Sequence, residues 1–184
     1  MISLGSSFVY SCHIELSELP HLNKKWALFN CPVMAYKTAF FLEKGAFPYL
    51  PLSSPNRPRP LFFESLLRQD WSQELFTTLG EDRGIATFTA SKVILDQVMN
   101  DLGPGTHAII SADFKNWFYG HFFNYAHDIK GLTVLDSYTP QYHALGVNDP
   151  DKYFELFYTR SLEAAVFYDK TPQNEQLISL TKKK

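Results

Sequence analysis

Cys31, His121 and Asp136 are the side chains whose types and settings suit covalent chemistry on an amide. Cys31 stands in FNCPVMAYKTAFFLEKG, directly ahead of an apolar stretch with helical character. A thiol at a helix N-terminus ionises more readily than a free one, and the unpaired backbone N–H groups there can hold an oxyanion. His121 opens the stretch GHFFNYAHDIKGLTVLDSYT, and Asp136 stands near its end. In that stretch Phe122, Asn124 and Ala126 alternate with His121, Phe123 and Tyr125, and Leu132 to Leu135 is a compact apolar run. Asp128 to Gly131 between them carries turn chemistry, so the pattern predicts a β-hairpin. Antiparallel pairing about this turn brings His121 and Asp136 together at the open end, where a carboxylate can reach an imidazole. A thiol, an imidazole and a carboxylate are the parts of an activated nucleophile.

The elements that must position these groups can be read along the chain. Ser6 to Leu16 reads as a short strand or arm, in which the adjacent Cys12 and His13 point to opposite faces and serve as structural residues. Pro32 suits the first position of a helix that runs from Cys31 to about Lys44, with Gly45 as its stop. Val33, Tyr36, Phe40 and Phe41 give that helix a broad apolar surface, so it should be buried. Residues 47–60 carry Pro48, Pro51, Pro55, Pro58 and Pro60 and form a surface excursion. Leu67, Trp71, Leu75 and Leu79 predict a helix over 64–79, and Glu81 to Gly84 a polar turn. A further helix is expected from Thr89 or Ser91 to Leu102, with Ser91 as candidate N-cap and Gly103 as its stop. His107 to Ala112 reads as a buried strand, Asp113 to Tyr119 as a loop with exposed aromatics, and Gln141 to Gly146 as a short loop or strand extension. Asp149 caps a helix to Tyr158, Ala164 to Tyr168 is a closing strand, and 170–184 is a polar tail. Helices come first and an antiparallel sheet second, so the expected class is α+β with N-terminal helices packed on a C-terminal sheet.

Composition narrows the function. A chain of 184 residues, 45% hydrophobic, has material for one core, so a single domain over 1–184 is expected. A net charge of −2 gives no basic face for phosphates, which argues against a nucleic-acid partner. No run is long enough for a membrane span, and the opening MISLGSSFVYSCHIEL lacks the basic start of a secretory signal. Export, if it occurs, is then expected by another route or as a released fragment of a larger chain. Two cysteines are too few for a disulfide scaffold. His121 and His127 lie six residues apart on one strand, roughly 20 Å, too far to share an ion unless the strand folds back, so no metal is expected. No glycine-rich phosphate loop, paired CxxC or HExxH pattern occurs, and no cofactor is expected.

Asn30 with Cys31, then Gly120 to Asn124 (GHFFN), then Leu135 to Thr139 (LDSYT), resemble in order and spacing the papain-like fold of bacterial polymorphic toxins and secreted glutamine deamidase effectors. The resemblance spans about Asn30 to Tyr168. It implies a papain-like fold with Cys31 as nucleophile, His121 as general base and then acid, and Asp136 as the group that orients the imidazole. Family members often carry Gln where this chain has Tyr138, and a small or polar residue where it has Pro32.

Such a site runs acyl transfer from an amide, with the oxyanion held by the Cys31 N–H and the Asn30 side chain, and with Trp117 and Tyr138 on the substrate side. Loss of ammonia makes the enzyme a deamidase, and loss of a chain amine a protease or amidase. The resemblance favours glutamine deamidation of a protein in a target or host cell's cytosol, with an immunity or chaperone protein as a further partner. Two rivals stand beside it. One is a peptidoglycan amidase with the same three residues. The other is a non-enzymatic binding module using Phe114, Trp117, Phe118, Tyr119 and the proline-rich segment.

Overall fold

A computed structural model describes residues 31–44, 83–116, 120–137 and 139–182. The expected arm at 6–16, the proline-rich segment 47–60 and the helix over 64–79 lie outside the described residues. Within them the chain is α+β, with five helices and one five-stranded antiparallel sheet. The helices are α1 (Cys31–Lys44), α2 (Lys92–Leu102), α3 (Pro140–Asn148), α4 (Pro150–Phe154) and α5 (Pro172–Thr181). The strands are β1 (Arg83–Ala90), β2 (His107–Asp113), β3 (Gly120–Asp128), β4 (Gly131–Leu135) and β5 (Leu162–Asp169), in the sheet order β1-β5-β2-β3-β4.

Helices cover both faces of the sheet. On one, α1 buries Ala35, Tyr36 and Ala39 against Ile109, Phe122, Ala165 and Phe167. On the other, Leu95 and Met99 of α2 and Tyr153 and Phe154 of α4 meet Ala108, Ile110, Phe123, Tyr125, Ala164 and Val166. A sheet buried on both faces explains why β2 and β5 read as continuous apolar runs rather than alternating ones.

The hairpin that carries His121 and Asp136 forms as its pattern demands. Pairs run from Asn124↔Leu135 to Asp128↔Gly131. Asp128 Oδ1 accepts from the backbone N–H groups of Lys130 at 2.7 Å and Gly131 at 3.1 Å, and Gly131 takes a φ of 124° that other residues rarely adopt. Helix α2 keeps its expected cap and stop: Ser91 Oγ accepts from the Ile94 N–H, and the Gly103 N–H reaches the Met99 carbonyl.

Five expectations change. Helices are not gathered at the N-terminal side, because α3, α4 and α5 all follow β4. Gln141 to Gly146 belongs to α3, started by Thr139 Oγ1 accepting from the Tyr142 N–H at 3.2 Å. Gly146 lets this helix settle on β4, since a Cβ there would stand 2.7 Å from Val134. The polar tail contains α5, which buries only Ile178 and so carries almost no apolar stripe to betray it. Of the turn expected at Glu81 to Gly84, Arg83 and Gly84 belong instead to β1, whose buried positions are Gly84, Ala86 and Ala90, too small to signal a strand. Finally, the helix expected to reach Tyr158 stops at Phe154, and Phe157 instead bridges to Phe114.

Candidate active site

Cys31 is the first residue of α1, at the helix end that presents unpaired N–H groups. His121 is the second residue of β3, and Asp136 is the first residue past β4. The register that pairs Asn124 with Leu135 sets Asp136 across from Phe123, so it lies diagonally from His121 on the same face rather than directly opposite. His121 Nε2 donates to Asp136 Oδ2 at 2.7 Å. The Cys31 side chain hydrogen-bonds the same imidazole, and with Nε2 given to Asp136, Nδ1 is the nitrogen left for the sulfur.

Alternation along β3 explains how a helix on one face of the sheet reaches a ring on the other. Phe122 and Asn124 point toward α1, whereas His121 and Phe123 point toward α4 and the residues that follow it. His121 sits near the start of its strand, so the tip of α1 meets it around the end of the sheet. Two contacts hold α1 in that place. Asn124 Nδ2 donates to the Ala35 carbonyl at 3.0 Å. The hydroxyls of Ser137, next to Asp136, and Thr38 share a hydrogen bond at 2.9 Å, and both lie within reach of the Met34 carbonyl, at 3.3 Å and 3.0 Å.

All three groups are buried: Cys31 keeps 8% of its surface exposed, His121 3% and Asp136 1%. Burial pulls the imidazole pKa down, but the charge and hydrogen bond of Asp136, and then the hydrogen bond and charge of Cys31, outweigh it and lift the ring to about 10. His121 is therefore held as an imidazolium against the Asp136 carboxylate at neutral pH, with the Cys31 sulfur on its other side. Aromatic rings wall it in, with Phe114 at 5.5 Å between centroids, Tyr142 at 5.7 Å and Phe157 stacked at 6.0 Å. Phe114 and Tyr142 keep part of their surface exposed.

Asn30, Trp117 and Tyr138, expected on the oxyanion and substrate side, lie outside the described residues, as do Phe118 and Tyr119. Tyr153 is a member the sequence reading missed: its hydroxyl donates to Asp136 Oδ2 at 2.6 Å. The sequence marks Tyr153 only as one of a cluster of apolar residues with Phe154 and Phe157; a buried phenol needs an acceptor, but nothing local says which one. Among the described residues no group of three His, Cys, Asp or Glu side chains could hold a metal ion, and no helix is long and apolar enough to cross a membrane. His127 spends Nδ1 on the Met99 carbonyl at 3.0 Å.

No protein-family model matches the chain, and a comparison with curated proteins finds no match.

Proposed function

We propose that this protein is a cysteine-dependent amide hydrolase of papain-like type, with Cys31 as nucleophile, His121 as general base and acid, and Asp136 as the orienting carboxylate. The observation that carries the reading is that one imidazole is gripped from two sides, by the thiol at the tip of α1 and by the carboxylate after β4. Elements on opposite faces of a sheet have little structural reason to meet on one buried ring, whereas a nucleophile and its base must.

In this mechanism the Cys31 sulfur attacks the carbonyl carbon of a carboxamide, and the proton shared with the ring stays on His121. The oxyanion lies at the N-terminus of α1, with the Cys31 N–H as one donor and the Asn30 side chain as the second. His121 gives its proton to the departing nitrogen, ammonia leaves, and a thioester remains. Water then attacks the thioester, His121 takes the water's proton, and the acid product departs as the proton returns to the sulfur. Asp136 keeps Nδ1 aimed at the sulfur by holding Nε2 and offsets the charge of the imidazolium.

We assign the substrate as a glutamine side chain of a protein in a target cell, on the likeness of GHFFN and LDSYT to effector deamidases. Intact-mass comparison of candidate target proteins treated with wild type or Cys31→Ala tests it. A gain of about one dalton at a glutamine, seen with wild type only, is the expected result. Backbone cleavage or release of muropeptides would replace deamidase by protease or cell-wall amidase. An effect that survives Cys31→Ala would remove the enzyme altogether.

A further inference from the structure

Two donors meet on one oxygen of Asp136: His121 Nε2 at 2.7 Å and the Tyr153 hydroxyl at 2.6 Å. The phenol is wholly buried, and Asp136 is nearly so. A carboxylate removed from water in this way needs donors to keep both its charge and its orientation. Tyr153 is well placed to be a fixed donor. Its own N–H is bonded to the Asp149 carbonyl at 3.0 Å, at the capped start of α4. Its ring is clamped by Phe123, edge-on at 5.0 Å, by Phe157 at 5.4 Å and by Tyr142, edge-on at 6.2 Å.

We infer that Tyr153 is a positioning residue of this site, its hydroxyl pinning the Asp136 carboxylate in the orientation that grips the imidazole. This rests on the hydrolase reading above and adds a fourth member to it. Among the described residues, the titratable groups that act on Tyr153 and His121 beside Asp136 include Cys31 of α1 and Tyr142 of α3. Burial first, and the Asp136 charge second, push the phenol far above its ordinary range, so it remains a donor wherever the site works.

Removing the hydroxyl while keeping the ring, with Tyr153→Phe, frees the carboxylate to turn and weakens its hold on His121. NMR titration of the His121 ring should then show its pKa moved down from about 10 toward 6.5. Alkylation of Cys31 by iodoacetamide should slow about tenfold, the worth of one hydrogen bond to a charged group. In an Asp136→Asn background the same substitution should cost almost nothing further, because the hydroxyl acts through the carboxylate. A packing role would add the same loss in both backgrounds and leave the titration unmoved. An unchanged or raised His121 pKa in Tyr153→Phe overturns the proposal. If that variant fails to fold, 3-fluorotyrosine at position 153, which keeps the shape and acidifies the phenol, takes its place: a moved His121 titration supports the assignment and an unmoved one overturns it. If His121→Ala leaves Cys31 alkylation at the wild-type rate, the hydrolase reading fails and this one falls with it. An altered His121→Ala beside an unaltered Tyr153→Phe sinks only the role of Tyr153.

Discussion

Asn124, three residues along β3 from His121, donates from Nδ2 to the backbone carbonyl of Ala35, four residues along α1 from Cys31, at 3.0 Å. The helix bearing the thiol and the strand bearing the imidazole are thereby fixed to one another by a wholly buried amide. Asn124→Ala should lower stability by about 1–3 kcal/mol and slow amide hydrolysis, as α1 loses its register on the sheet. Because Asn124 Oδ1 meets no partner among the described residues, Asn124→Leu, which removes both polar atoms and keeps the volume, should cost less stability than Asn124→Ala. Urea unfolding of the two variants checks the order. The reverse order would mean that the amide's role is not the contact with α1.

Asp136→Asn keeps the side chain's shape and removes its charge. The imidazolium then loses its principal partner, and the ring is no longer held in the tautomer that serves the sulfur. Hydrolysis should fall by roughly 10³- to 10⁴-fold, as for the acid of a comparable triad. The cost in stability should stay near 1–3 kcal/mol, because an amide oxygen still accepts from Tyr153. Circular dichroism alongside activity separates the two effects, and a variant that simply unfolds would make Asp136 a structural residue.

Two buried histidines set how stability depends on pH, in opposite senses. His121 is raised from 6.5 to about 10, so its pairing contributes fully below 6.5 and is lost as the pH climbs toward 10. Across that window the folded chain holds a proton that the unfolded chain has released, and stability falls by about 1.4 kcal/mol per pH unit. His107 is lowered, first by burial and also by the Arg83 charge, against the pull of Glu43, whose Oε1 accepts from its Nε2 at 2.6 Å. Its contribution is present above 6.5 and lost as the pH drops. Denaturant unfolding on both sides of 6.5 should therefore show a maximum near that value. The alkaline slope should flatten in Asp136→Asn, and an unchanged slope there would remove His121 as its source.

The parts of this architecture legible in the sequence were those with strong local signals. The hairpin announced itself through alternation around Asp128 to Gly131, α1 through Pro32 and its apolar breadth, and α2 through the Ser91 cap and Gly103 stop. Elements with weak signals were misread. Helix α3 contains Gly146, which only the close approach to Val134 explains, and α5 buries a single side chain. Strand β1 turns Gly84, Ala86 and Ala90 inward, so it lacks the bulky alternation that marks an edge. At the site, Cys31, His121 and Asp136 could be chosen by residue type and local setting. Tyr153 could not, because its contact with Asp136 depends on how α4 docks on the far face of the sheet.

The most direct measurement of the central claim is site-resolved iodoacetamide labelling of the native chain, comparing Cys31 with Cys12 in wild type and in His121→Ala. A thiol with 8% of its surface exposed should label slowly if burial alone governs it. A sulfur paired with an imidazolium should label fast near neutral pH. The account predicts that Cys31 reacts much faster than Cys12 and loses that advantage when His121 is replaced. Equal rates at the two cysteines, or a fast Cys31 indifferent to His121, would contradict it.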